Sequence, residues 1–311
     1  MRNYIIRRLI QIIPVFLGIL FILFFLLEMT PGSPVAHLMD PKMTPEQKAE
    51  LAEKLDPNKP FYEKFINWVG EALKGNFGYS ITHKKPVMSV ISDYIGPTLA
   101  LSLCSLVVAL LIGIPTGIVS ATKQYSVVDN VLTVVSLIGI SIPSFFFGLL
   151  LLKFFAVDVK LFPLFGLQDA MLKNPTFFRK LGDYAWHLTL PTIVLGMGSA
   201  ATFMRYTRSS MLEVIRQDYI RTARAKGAPE KTVIFKHALR NSLLPIITVA
   251  GTNFGFLIGG TIMIEAVFAI PGMGSLLINS VRGKDTPMVM ANVLFVAVMA
   301  GVINLIVDLI Y

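Results

Sequence analysis

Six stretches of this chain hold no Asp, Glu, Lys or Arg and are long enough to cross a bilayer: residues 9–27, 95–122, 131–152, 184–204, 241–264 and 286–307. A hydrocarbon core about 30 Å thick needs roughly 20 helical residues. Spanning backbone must satisfy its own hydrogen bonds, and only helices and closed barrels do so. The stretches do not alternate polar and apolar as barrel strands would. The expected fold is therefore an all-α integral membrane protein with six transmembrane helices. Only 15% of the 311 residues are charged, fewer than a soluble domain of this length carries.

The first stretch follows Arg2, Arg7 and Arg8 and ends in "LLEMTPGSP". It lacks a small-x-small cleavage signal and is read as an anchor that stays in place. Cys104 is the single cysteine, expected to pack as a small apolar side chain.

Six spans put both ends on one side. With that side cytoplasmic, the inner segments hold thirteen basic residues against four acids, nine of the bases between Arg205 and Arg240. The orienting rule weighs short loops and exempts long ones such as 30–94. N and C termini are therefore expected on the cytoplasmic side of the membrane. The positive balance of +9 then needs no nucleic-acid partner.

The expected division is an N-terminal helix over 1–30, an extracytoplasmic helical segment over 31–94, and a core of five spans over 95–311 with a cytoplasmic loop at 205–241. In the second part, Thr44, Pro45 and Gln47 form an N-terminal helix signature. A second helix is expected from Pro60 to a stop at Gly75.

Several chemistries have no residues to carry them. "GEALKGNF" has Asn76 where a phosphate-binding loop needs lysine. His37, His83, His187 and His237 lack metal-ligand spacing. No catalytic dyad is visible, so the chain is not expected to be an enzyme, and neither metal nor cofactor is expected in it. Ionisable residues deep in the spans, which proton-coupled carriers use, are not expected either. The chain is then a passive pore, a packing subunit, or a membrane part driven by another protein.

The densest positive charge lies in "DYIRTARAKGAPEKTVIFKHALRNSLLP", residues 218–245. "DYIRTARAKG" is a helix stopping at Gly227, and Pro229 starts a second with Glu230 in its first turn. Val233, Ile234, His237 and Ala238 share a face that omits Lys231, Lys236 and Arg240. Topology control and contact with anionic lipid each explain the charge. Neither explains a pattern built for two helices and a tight turn.

This segment resembles the cytoplasmic loop of ABC importer permeases, specifically the branch serving peptides. "MRNYIIRRLIQIIPVFLGILFILFFLLEMTPGSP", "GNFGYSI", "IEAVFAIPGMGSLL" and "NLIVDLIY" are similar to that branch in the same order. The glutamate that names the loop in the wider family is Arg221 here, and Leu244–Pro245 comes later than in the general pattern. The resemblance implies a type I importer permease forming half of a translocation pathway. It implies a second homologous permease chain, two ATP-binding cassette ATPases that hold ATP and Mg, and an extracytoplasmic substrate-binding protein. It also implies that Asp218, Arg221, Thr222, Ala223, Arg224, Ala225, Lys226, Gly227 and Ala228 couple to the ATPase. The implied cargo is an oligopeptide or dipeptide, with nickel or another small solute as the alternative. A secondary carrier or channel is the reading from a different class, and it requires a buried acid or an inverted repeat.

Gly251, Gly255 and Gly259 repeat at four residues, a spacing that allows close helix contact in the bundle or at a gate. Gly113 and Gly117 bracket Pro115, and Pro143 interrupts the third stretch, so both are expected bends. Pro271, Gly272, Met273 and Gly274 form an expected loop in the outward mouth.

Overall fold

The computed structural model describes residues 2–29, 60–169, 171–172 and 176–310. The expected helix start at Thr44, Pro45 and Gln47 lies outside them. The described chain is mostly helical and groups into two compact units, one of residues 1–96 and 272–301, the other of 97–271 and 302–311.

In the first unit, α1 (Arg2–Glu28) packs against α2 (Phe61–Leu73). Phe21 and Phe24 meet Phe61 and Phe65 with ring centroids 5.3–5.7 Å apart. Lys64 Nζ lies 2.6 Å from Glu28 Oε1. Helix α2 ends before Gly75, whose φ of +83° suits a residue without a β-carbon. A short hairpin follows, β1 (Tyr79–Ser80) antiparallel to β2 (Lys85–Pro86). It leads into α3 (Val87–Thr122). The hairpin is fastened by buried Asp285, which accepts from Ser80 Oγ at 2.5 Å and from the Thr82 amide at 2.9 Å.

The second unit holds most of α3, the helices between residues 127 and 267, and the end of the last helix. Residues 131–152 are not one continuous span. Helix α4 (Val127–Ser141) and α5 (Ser144–Leu151) meet at 97°, and α5 continues as a π-helical segment to Asp158. The cause is local. Pro143 has no amide hydrogen and pushes Ile142 out of the helical region, to φ −79° and ψ 123°. Pro97, Pro115, Pro191 and Pro245 sit within unbroken helices instead. Helix α6 (Phe177–Ile215) is the longest.

The expected bend at Gly113 and Gly117 is a packing seam. A β-carbon at Gly113 would lie 2.5 Å from Phe203 Cβ and 2.7 Å from the Ala200 carbonyl oxygen. At Gly117 it would lie 2.5 Å from Thr207 Cβ. Glycine lets α3 and α6 touch backbone to backbone. Cys104 lies on the exposed face of α3 rather than in the core, because its neighbours Leu101, Ser102 and Ser105 take the inward positions.

Four helices are long and apolar enough to cross a membrane: Val87–Thr122, Phe177–Ile215, Glu230–Gly259 and Thr286–Leu309. The bent pair is a fifth if it counts as one span. In α1 the apolar helical stretch among the described residues is Ile13–Glu28, shorter than these.

Candidate functional site

Residues 218–245 fold as two helical pieces meeting at a turn. Helix α7 (Asp218–Ala225) ends in a Schellman motif. The Ala228 amide donates to the Ala223 carbonyl at 3.2 Å, and the Gly227 amide donates to that of Arg224 at 2.9 Å. Gly227 holds φ +78°, the left-handed region that this motif needs. Pro229 then opens α8 (Glu230–Thr232), which passes through a π-helical turn (Val233–Ala238) into α9 (Leu239–Gly260).

Arg224 reaches across the turn to Glu230. Its Nη2 lies 2.7 Å from Oε1 and its Nε 3.1 Å from Oε2, a two-point contact between the pieces. The Glu230 carboxylate raises the Arg224 guanidinium further above its ordinary value, so the arginine stays charged. Arg221 Nη1 lies 3.7 Å from Asp218 Oδ1 on the surface. Thr222 Oγ1 donates to the Asp218 carbonyl, closing the first turn.

One face of the elbow is seated. Ile220, Val233 and Ala238 are fully buried and form a cluster with Ile118 and Ala121 of α3 and Met211 of α6. Ala223 and Ala228 lie half-buried against the same cluster. The other face is open: Asp218, Arg221, Arg224, Ala225, Lys226 and Gly227 are exposed, as are Lys231, Lys236 and Arg240. Asn241 Nδ2 donates to Tyr219 Oη at 2.9 Å, a further tie between the pieces. The result is a stiff basic knob rooted in two long helices.

Beside that root lies a feature absent from the sequence reading. Asp129, in the first turn of α4, is 2% exposed. It accepts from Arg208 Nε at 2.8 Å and Nη2 at 2.9 Å, from the Tyr125 amide at 2.9 Å, and from Ser120 Oγ. Ser126 caps the same turn by accepting from the Asp129 amide. The Ser-x-x-Asp spacing was a visible helix start. The partner Arg208, on α6, was not.

The expected absence of buried acids needs correction. Glu265, in α10 (Ile262–Val267), is fully buried and accepts from Thr98 Oγ1 at 2.7 Å and Thr261 Oγ1 at 2.9 Å. It lies one residue past the charge-free stretch 241–264. The fold turns it inward against α3.

Of the repeated glycines on α9, Gly251 lies against Val307, Gly255 is buried and Gly259 half-buried. Pro271 and Gly272 lie outside the helices, between α10 and the next one. Met273 and Gly274 are not loop: they begin α11 (Met273–Arg282) and are buried. The Gly272 amide donates to Ser275 Oγ at 3.0 Å, which starts that helix. Helix α12 (Thr286–Ile310) follows.

Residues 113–311 match the family model described as binding-protein-dependent transport system inner membrane component. The chain is 42% identical over 312 residues to the oligopeptide transport system permease protein AppB of Bacillus subtilis (strain 168), covering all of this chain and 97% of that one. It is 37% identical over 328 residues to the dipeptide transport system permease protein DppB of Escherichia coli (strain K12), again over its full length and 97% of the relative. A chain of the MetNI methionine ABC transporter, solved in inward-facing conformations, superposes with a TM-score of 0.57 at 20% identity. That match covers 72% of this chain and 95% of the other, and it shows a shared fold. With helices, broken span and knob in place, these likenesses leave one assignment: the chain belongs to the binding-protein-dependent transport system inner membrane component family, the permeases of ABC importers.

Proposed function

We propose that this permease forms half of the pathway through which an ATP-driven importer moves oligopeptides or dipeptides inward. The cargo reading rests on relatives named for oligopeptide and dipeptide transport, which match over their whole length. Nickel or another small solute is the alternative cargo. A second permease chain completes the pathway, two ATPases supply the energy, and an extracytoplasmic binding protein delivers the peptide. All six apolar stretches span the membrane, both termini lie inside, and residues 31–94 lie outside.

The observation that carries the coupling role is the two-faced knob: Ile220, Val233 and Ala238 rooted in α3 and α6, with Arg221, Arg224 and Lys226 exposed on the other face. A rigid body gripped at one end and anchored to spans at the other passes on movement when its partner closes. The stretch at 271–272 contributes to the outward mouth, and Gly251, Gly255 and Gly259 to packing around the pathway.

The test is Gly227→Val in the reconstituted complex, with peptide uptake and ATP hydrolysis measured together. Uptake should fall while expression stays normal. Wild-type rates of both would sink the coupling role. Uptake by this polypeptide alone without nucleotide, or protease mapping that puts Lys226 outside, would sink the wider reading.

A further inference from the structure

We propose that the Asp129–Arg208 ion pair is a transmission joint: it carries the movement of the knob into α4, the first half of the broken span. This rests on the coupling role proposed above.

Three observations converge. First, the joint and the root of the knob share the same turns of the same helices. Ile118 and Ala121 of α3 seat the knob, and Ser120 between them donates to Asp129. Met211 of α6 seats the knob, and Arg208 one turn earlier grips Asp129 at two points.

Second, α3 and α6 are fused along the glycine seam, where β-carbons at Gly113 and Gly117 would meet backbone or Cβ atoms within 2.5–2.7 Å. A force on the knob therefore moves them as one body.

Third, α4 lies along α6, where a β-carbon at Gly139 would sit 3.7 Å from Ala201 Cβ, and its two ends differ in how they are held. Its far end meets α5 at a 97° break around Ile142 and Pro143, a natural hinge. Its near end is pinned by the charged pair, and the adjoining turn is held by the same carboxylate: Tyr125, at φ +64°, donates its amide to Asp129. A non-glycine residue held there is strained, and it persists where surrounding contacts secure it.

The charged pair is the polar tie that fixes the near end of α4 to α6, while the break at Ile142 and Pro143 gives its other end a place to bend. Between α4 and the fused pair lies a cavity of about 280 Å³, lined on one side by Val135 and Gly139 and on the other by Thr116, Met197 and Ala201. Movement passed through the joint would change this space. Asp129 and Arg208 are thus positioning residues, with no contact to cargo or nucleotide implied.

The experiment uses the complete importer in proteoliposomes, comparing wild type with Asp129→Asn and Arg208→Lys. The second variant keeps the positive charge and loses the two-point grip. Peptide moved per ATP hydrolysed is the first readout. It should fall about fivefold or more in Asp129→Asn, the scale of an ordinary coupling between sites, while the ATPases stay bound and active. Arg208→Lys should show a smaller loss in the same ratio. The second readout is the distance between spin labels at exposed Val107 of α3 and exposed Val134 of α4, with Cys104 replaced by serine. ATP trapping should change it in wild type and not in Asp129→Asn. An unchanged ratio with a wild-type distance change, in either variant in an intact complex, overturns the joint. If Asp129→Asn does not assemble, Arg208→Lys decides by the same two readouts. A wild-type complex without ATP-dependent uptake refutes the transport reading instead, a result distinct from loss of the joint.

Discussion

Gly251 of α9 and Val307 of α12 are so close that a β-carbon added to the glycine would lie 1.7 Å from Val307 Cγ2. Val307 is 7% exposed, so its side chain has little room to turn away. The contact yields at a side chain, not at backbone. Gly251→Ala should destabilise the protein by about 1–3 kcal/mol, the usual cost of overpacking. Val307→Ala in the same chain should restore most of it. Thermal unfolding in detergent of the two single variants and the double variant checks this. A double variant no better than Gly251→Ala would show that backbone, not Val307, sets the limit.

The Gly113 contact behaves in the opposite way. Its obstacle includes the Ala200 carbonyl oxygen at 2.7 Å, which no side-chain truncation removes. Gly113→Ala should lower expression and melting temperature, and Phe203→Ala should not rescue it. Recovery with that second change would contradict the seam as described.

Arg224→Ala and Glu230→Ala remove an exposed ion pair, worth at most about 1 kcal/mol. Stability should barely change. Peptide uptake should fall more than stability does, because the pair ties the two pieces of the knob together. Charge reversal, Arg224→Glu with Glu230→Arg, should recover part of the uptake. Gly227→Ala is a graded companion: nothing lies within 4 Å of the added β-carbon, so its cost of about 1–2 kcal/mol is backbone strain alone.

Asp285→Ala removes the acceptor for Ser80 Oγ and the Thr82 amide, and the cap on the Met288 amide at the start of α12. Stranding buried donors costs about 1–3 kcal/mol. The hairpin at 79–86 should become sensitive to protease while the knob does not. Limited proteolysis with mass mapping reads both regions at once.

Glu265 is a buried acid that accepts from the hydroxyls of Thr98 and Thr261, and so a group that a carrier reading would use. If the carboxylate is a structural acceptor, Glu265→Gln should keep much of the ATP-driven uptake, and a protonophore should leave wild-type uptake unaffected while ATP is supplied. Uptake that collapses with the proton gradient at constant ATP would favour the carrier class.

The sequence by itself determined the membrane class and the shape of the knob. Both are local properties. A charge-free run either reaches across hydrocarbon or does not, and a glycine followed two residues later by a proline ends one helix and starts the next within a few bonds. The stripe of Val233, Ile234, His237 and Ala238 was legible for the same reason, and it faces inward while Lys231, Lys236 and Arg240 face out. Only the tertiary structure decided which distant groups meet. Asp129 finds Arg208 79 residues on, Thr98 finds Glu265 167 residues on, and Ser80 finds Asp285 205 residues on. Those pairings depend on where helices cross, and helix crossings depend on small residues such as Gly113 and Gly117 meeting a particular stretch of α6. In one sequence a glycine that packs and a glycine that bends look alike. The backbone oxygen pressed against Gly113 tells them apart.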